Sequence, residues 1–180
     1  MDIEKQIKEL HKEAQEHALK IFMLFLNTPK YLNNPNTMFK IVTSMAYDIF
    51  LGSVAPLLDK EQEEDIWEMF VQIALNTREL PFKQDKGRQA AEMLNKIVTK
   101  EDRHKMLPQD EAVKCFDDVK TVFEDANVIT TLLALMISSG AFSIPFYDTQ
   151  TEYEEELNGQ FHRYRKFKNA MEAQSNDTRH

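Results

Sequence analysis

Three glutamates that could hold a metal ion share one face of a predicted helix: Glu61, Glu64 and Glu68. Residues three, four and seven positions apart lie above one another on an α-helix. Carboxylate oxygens are the ligands that Mg²⁺ prefers, and a bound Mg²⁺ can activate water or polarise a phosphate ester. No matching acidic pair occurs on a later predicted helix, and acids in a first turn also suit the helix dipole. A helical metal-dependent phosphohydrolase is therefore one alternative for function, and a solvated acidic face is the simpler interpretation.

A glutamate and a histidine three residues apart are a second candidate for metal chemistry. Glu101 and His104 have the spacing that supplies one half of a di-iron carboxylate site. Such a site needs a second motif of the same kind, and the sequence has none. Glu13 and His17 are four residues apart, which places both on one helical face in a different geometry. The neighbours of His104 are charged and indicate a solvated surface, so we expect no metal site here.

The segment 162–168 interleaves basic and aromatic residues, as segments that bind nucleic acids do. The same predicted helix begins with glutamates at positions 152 and 154–156, and this order of acids and bases is the one that the helix dipole favours. The formal net charge of the chain is −8, which argues against binding to phosphate backbones. We therefore expect no direct binding of nucleic acids. An acidic inhibitor or nucleic-acid mimic that blocks a basic cleft is a second alternative for function.

The sequence has no motif for covalent catalysis or for a cofactor. It contains neither a G-x-S-x-G turn nor a glycine-rich phosphate loop, and its cysteine and histidines lack zinc-site spacing. The single cysteine, Cys115, cannot form a disulfide within the chain and is expected to be a small buried apolar residue. The apolar run 21–26 follows a charged segment and precedes no cleavage site, so we predict no signal peptide. We expect a cytoplasmic protein without enzymatic activity and without a cofactor.

Helices must position all of these residues, because apolar residues at helical spacing dominate the chain. With 180 residues, 42% of them apolar, and only four glycines, the chain can bury a core and has few sites for tight hairpins. We predict an all-α single domain at 1–173, followed by a polar, flexible tail at 174–180. The fold class is a bundle or array of about six helices, with a long N-terminal helix and a long central helix.

Capping residues and helix breakers predict where the first two helices begin and end. The first is expected to begin after Asp2 as its N-cap and to end near Asn27, ahead of a proline. The second spans about 37–51, with Asn36 or Thr37 as its cap. A glycine and a proline that follow soon after are expected to bend or end it.

The same signals place the remaining four helices. The third follows a capping signal at 59–62, and the fourth carries an apolar stripe at 90–98. The fifth opens at a proline at position 108 and continues through the uncharged stretch to Gly140, a good terminator. The sixth follows a capping box at 149–152, with Phe167 and Met171 near the end of its apolar stripe.

The uncharged stretch 128–147 is long enough for a membrane span, which needs about 20 residues. Seven of its residues are Ser, Thr, Gly or Pro, and acids flank it where a membrane span would have bases. A central helix buried on all sides explains the stretch better. We therefore expect no membrane association, and we expect five of its side chains to be buried: Leu132, Leu133, Leu135, Met136 and Ile137.

The N-terminal helix carries a narrow apolar stripe with alternating spacings of four and three residues, typical of helices that pack along their length. We interpret the stripe as a surface for a partner protein or for a second copy of the chain. The predicted function is then a non-enzymatic helical protein-interaction or regulatory module that acts through an apolar helical surface. The competing interpretation is that the stripe docks onto later helices of the same chain. The expected partner-binding residues are Ile3, Ile7, Leu10, Ala14, His17 and Ile21.

Overall fold

The computed structural model describes residues 2–79, 93–96, 98, 101 and 104–178. All regular secondary structure in those residues is helical, which confirms the predicted all-α fold. A π-helical turn (Phe50–Val54) and a 3-10 turn (Ala55–Leu57) follow the third helix. The helices are α1 (Ile3–Asn27), α2 (Pro29–Leu32), α3 (Pro35–Ile49), α4 (Lys60–Glu79), α5 (Gln109–Val122), α6 (Val128–Phe142) and α7 (Gln150–Thr178).

Three helices begin at the caps that the sequence predicts. The Asp2 side chain accepts a hydrogen bond of 3.2 Å from the backbone of the first turn of α1. At α4 the cap is reciprocal: Gln62 N donates to Asp59 Oδ1 at 2.8 Å, and Asp59 N donates to Gln62 Oε1 at 3.1 Å. At α7, Glu152 N donates to Thr149 Oγ1 at 3.1 Å. These bonds satisfy backbone donors that the first turn of a helix leaves unpaired.

The predicted cap of α3 is wrong. The helix begins two residues earlier, at Pro35, whose fixed φ suits a first helical position. The Thr37 hydroxyl instead accepts a hydrogen bond of 2.8 Å from the backbone N–H of Leu107 and so ties α3 to the segment before α5. Ahead of Gly52 the regular α-helix ends at Ile49 and the chain continues as the π-helical turn.

The fifth predicted helix is two helices, α5 and α6. The chain leaves helical geometry at Phe123, and α6 starts again after Asn127, whose side chain accepts a hydrogen bond of 2.8 Å from Thr130 N. Asparagine competes with the helical backbone through such bonds and therefore favours the cap position. The apolar periodicity continues across the break, which is why periodicity alone predicts one helix.

Helix α6 forms the centre of the fold. It packs against α1, α3 and α4, and every residue from Ile129 to Phe142 is buried. Leu132, Leu133, Leu135 and Met136 have no exposed surface, and Ile137 is 8% exposed, so the predicted burial is confirmed. A helix that is apolar on all sides needs neighbours on all sides, and these three helices provide them.

Gly140 does not end α6, which continues to Phe142. A Cβ atom built on Gly140 would lie 2.9 Å from the carbonyl carbon of Ala74 and closer still to its carbonyl oxygen. The glycine therefore lets the backbones of α4 and α6 approach each other. A residue without a side chain is needed at position 140 because of this close contact, not because the helix ends there.

Several buried polar side chains of the core have hydrogen-bond partners. The Thr43 and Ser139 hydroxyls are 2.7 Å apart, and the Ser139 hydroxyl is also 2.7 Å from the Tyr153 hydroxyl, which joins α3, α6 and α7. Arg78, at the end of α4, donates to the carbonyl oxygen of Tyr147 at 2.6 Å. These bonds give buried polar groups the partners that burial demands.

Two further predictions meet the limits of the described residues. The fourth predicted helix lies mostly outside them; within it, 93–96 are helical, and Leu94 and Val98 are buried. Residues 174–178, which we predicted to be a flexible tail, continue α7 as helix.

One helical stretch of the described residues, 35–57, is long and apolar enough to cross a membrane by length and composition. Half of its most apolar window is buried inside the fold, and core helices of soluble proteins pass the same test.

Candidate functional site

The apolar stripe of α1 faces the chain's own helices. Ile3, Ile7, Ala14 and Ile21 are each at most 6% exposed, and α1 packs most extensively on α6. A partner could reach Ile3, Ala14 and Ile21 only if α1 left α6. The structure therefore places them as the competing interpretation describes, inside the fold.

The other two residues of the stripe are half-buried. Leu10 packs against the edge of the core. The His17 ring lies parallel to the ring of Phe123, with centroids 5.8 Å apart, and its Nδ1 is 2.9 Å from the carbonyl oxygen of Glu13. Both residues thus pack against their own chain, and the His17 ring lies against the C-terminal end of α5.

An open apolar groove lies between α1 and α4. Both helices pack on α6 and make little contact with each other, which leaves a groove of about 620 Å³. Its apolar lining comes from Ile7 on α1 and from Met69 and Ile73 on α4. Lys8 and His11 lie along the α1 side, and Asp65 and Glu68 lie along the α4 side, so a base on one edge faces acids on the other.

The end of α7 presents an apolar pair to solvent. Phe167 is 68% exposed and Met171 is 53% exposed, although the sequence places both on the helix's apolar stripe. Two side chains near this pair bond α7 to the rest of the fold. Arg165 pairs with Glu63, and Lys168 donates to the carbonyl oxygen of Leu51. Beyond Lys168, the side chains at positions 169–175 are exposed.

The three glutamates proposed as metal ligands do not converge on a site. Glu61, Glu64 and Glu68 are all exposed, and Glu68 accepts a hydrogen bond of 2.8 Å from Gln72 on the same helix. Within the part of the chain that the structure describes, no group of three His, Cys, Asp or Glu side chains could hold a metal ion. Glu101 and His104 are exposed, and the two residues between them lie outside the described part.

The two acidic groups of the sequence lie at opposite ends of a helix pair. Helices α4 and α7 are antiparallel: Trp67 donates to Asn158 at 3.0 Å in the middle, and Arg78 donates to the carbonyl of Thr149 at 3.2 Å at one end. The acids at 61–68 therefore lie beside the basic half of α7, and the glutamates at 152–156 lie beside the later part of α4. A contiguous acidic face of the kind that a nucleic-acid mimic needs is not formed by these two groups.

Part of the basic and aromatic segment 162–168 is used for packing. Just before it, Phe161 stacks on Trp67 with ring centroids 4.0 Å apart. Arg165 lies over the Phe161 ring and pairs with Glu63, and Tyr164 packs against Tyr47. The side chains at positions 162, 163, 166 and 167 are exposed.

Cys115 is buried on α5 beside Tyr31 and Asp118, which are joined by a hydrogen bond. Burial, together with the nearby carboxylate of Asp118, raises the pKa of the Cys115 thiol to about 12. A thiol with that pKa is protonated at neutral pH and is a poor nucleophile.

A second cleft, between α3 and α7, was not predicted from the sequence. Its aromatic residues come from three separate parts of the chain: α3, α7 and the segment between α6 and α7. No local pattern in the sequence could have found it, because only the packing of the helices brings these residues together.

Comparisons with protein-family models, with curated proteins and with solved structures give no match.

Proposed function

We propose that this chain is a non-enzymatic helical interaction protein that assembles with a second copy of itself. In this proposal the exposed end of α7 from one copy lies in the groove between α1 and α4 of the other. The observation that carries the proposal is the exposed pair Phe167 and Met171. Large apolar side chains at adjacent turns of a helix are the usual anchors when a helix docks in a groove.

The shape of the groove supports this occupant. Its residues on α4 are spaced by three and four positions, so they form one continuous helical face opposite α1. Here two neighbouring helices, α1 and α4, pack on a third helix and leave a groove between them. In helical bundles a further helix fills a groove of this kind. Met69 and Ile73 are half-buried and would become covered on docking.

The charges support it as well. Arg163 and Lys166 flank the apolar pair on α7 and are exposed. The α4 edge of the groove carries Asp65 and Glu68, so bases on the incoming helix would face acids on the groove. Charge complementarity of this kind fixes the register of two docking surfaces and speeds their encounter.

Sedimentation velocity of the purified chain over a wide concentration series tests the proposal. We expect a reversible increase in mass with concentration. Phe167→Ser combined with Met171→Ser should weaken association by about tenfold or more, because each buried side chain of this size contributes about 1.5–3 kcal/mol. Val113→Ser, which removes an exposed apolar side chain from α5, is the matched control and should change nothing.

A mixture of two variants makes the test specific for this pair of surfaces. Met69→Glu should block the groove but leave the α7 end intact, and circular dichroism checks that it folds. The α7 variant and the groove variant should each associate weakly alone, whereas their mixture should form a heterodimer more tightly, through the one intact groove and the one intact α7 end. A chain that is monomeric at every concentration contradicts the proposal. So does association that the α7 variant leaves unchanged, or a foreign protein found in the groove of a monomer.

A further inference from the structure

The cleft between α3 and α7 has six phenylalanine and tyrosine rings among its lining residues. It has a volume of about 590 Å³, which lies within the range of about 300–1,000 Å³ typical of small-molecule sites. The wall between the two helices is completed by residues of the segment that joins α6 to α7. Its rings belong to Phe39, Tyr47, Phe146, Tyr147, Tyr153 and Tyr164.

Hydrogen bonds fix the rings at the bottom of the cleft. The Tyr47 hydroxyl donates to the carbonyl oxygen of Leu157 at 2.8 Å, and the Tyr153 hydroxyl bonds to Ser139 at 2.7 Å. Both tyrosines are at most 2% exposed. Because both residues are almost fully covered, a ligand in the cleft contacts mainly the half-buried rings of Phe146, Tyr147 and Tyr164.

One carboxylate lies among these rings. Glu156 Oε1 accepts hydrogen bonds from Gln160 at 2.7 Å and from the exposed Arg163 at 3.5 Å. Glu156 Oε2 has no hydrogen-bond partner among the residues that the structure describes. Burial and, next, the charge of Glu156 raise the pKa of Tyr147, so this phenol stays neutral near the carboxylate.

We propose that this cleft binds a small organic cation, a quaternary or alkylated ammonium group, against the tyrosine faces and beside Glu156. Aromatic faces carry negative potential, attract such cations and are able to replace part of their weak hydration. The free oxygen of Glu156 supplies the matching charge. The other charged groups of the lining, Lys40 and His104, are exposed. Water screens these charges and also that of Glu156, whose side chain is 44% exposed.

Choline is the probe that tests this chemistry, because 3,3-dimethyl-1-butanol has the same shape without the charge. Titration of the ¹⁵N-labelled protein should give saturable shift changes at Tyr47, Tyr147 and Tyr164 with choline. The neutral alcohol and benzoate should bind at least about tenfold more weakly, if at all.

Two substitutions should change choline affinity in opposite directions. Glu156→Gln should weaken it by about tenfold, because it removes a charge-assisted contact and keeps the shape. Lys40→Gln should strengthen it, because it removes the like charge on the α3 wall. Glu155→Gln, an exposed acid on the same helix, is the matched control and should leave the affinity unchanged.

The outcomes separate the proposal from its rivals. Equal affinity for choline and the neutral alcohol, preference for benzoate, shifts that map outside the cleft, or no saturable shift would each overturn it. The proposal would also be overturned if the Glu156→Gln variant bound choline as tightly as the original protein. Thermal unfolding checks that this variant is folded. Cosedimentation with phosphatidylcholine vesicles then distinguishes a lipid headgroup from a free cation, and choline must bind in either case.

Discussion

Replacing Gly140 by alanine should destabilise the protein, although alanine normally favours a helix. The new methyl group would lie 2.9 Å from the carbonyl carbon of Ala74 and closer to its oxygen, whereas ordinary contact begins at 3.4 Å. The α4 and α6 backbones would have to separate by at least about 0.5 Å, and no flexible side chain can absorb that shift. Overpacking of this kind costs about 3 kcal/mol, and helix propensity returns about 1 kcal/mol. We therefore expect a net loss of about 2 kcal/mol.

Thermal and urea unfolding, followed by circular dichroism at 222 nm, measure this loss. For a chain of this length, 2 kcal/mol corresponds to a decrease in Tm of about 4–8 °C. Gly52 and Gly159 provide matched controls. A methyl group at Gly52 would have no neighbour within 4 Å, and a methyl group at Gly159 would lie 3.7 Å from the end of the Arg163 side chain. Alanine at either position should be neutral or stabilising. Adding Ala74→Gly to Gly140→Ala should not rescue stability, because the clash is with the main chain. A Gly140→Ala variant as stable as these controls would refute the close-approach argument.

Two further predictions concern buried polar groups. Thr130 Oγ1 is buried without a hydrogen-bond partner among the described residues, so Thr130→Val should raise stability by about 1 kcal/mol, and a lower urea midpoint would contradict this. Burial raises the pKa values of Tyr47 and Tyr153. The unfolded chain ionises these phenols near pH 10, whereas the folded chain keeps them protonated. The free energy of unfolding should therefore be constant below about pH 10 and fall by about 1.4 kcal/mol per tyrosine for each pH unit above it. Phenolate absorbance at 295 nm should then rise together with loss of helix; a rise that precedes unfolding would show that the two phenols are accessible.

The helices and most of their ends follow from local chemistry. The reciprocal bonds of Asp59 and Gln62, and the cap at Asp2, depend only on residues within one turn of each other. Burial of Leu132 to Ile137 follows from the absence of charge over a segment long enough for a central helix. The break at Asn127 was missed because the apolar periodicity of α5 continues into α6, and a single capping side chain decides where the chain turns.

The sequence determined that one face of α1 had to be covered, and the tertiary structure decided what covers it. An apolar stripe with 3.5-residue spacing indicates that residues such as Ile7 and Ile21 are buried. The same stripe could pack equally well on α6 of its own chain or on a helix of a second chain. Whether α1 packs on α6 or on a second chain depends on how well the side chains fit along the full length of the two helices in contact. The exposure of Phe167 has the same origin, since α7 contacts its neighbours through Arg165 and Lys168 and leaves the side chain between them in solvent.

The aromatic cleft lay entirely beyond the reach of local patterns. Tyr47 and Leu157 are 110 positions apart, and each one fits the buried stripe of its own helix. Their hydrogen bond, and the carboxylate of Glu156 beside the rings, exist only because α3 and α7 pack on each other. Periodicity reports how much of a helix is buried, because burial repeats with the helical turn. It does not report which surfaces meet, because that depends on the shapes of distant segments, and those shapes form only when the chain folds.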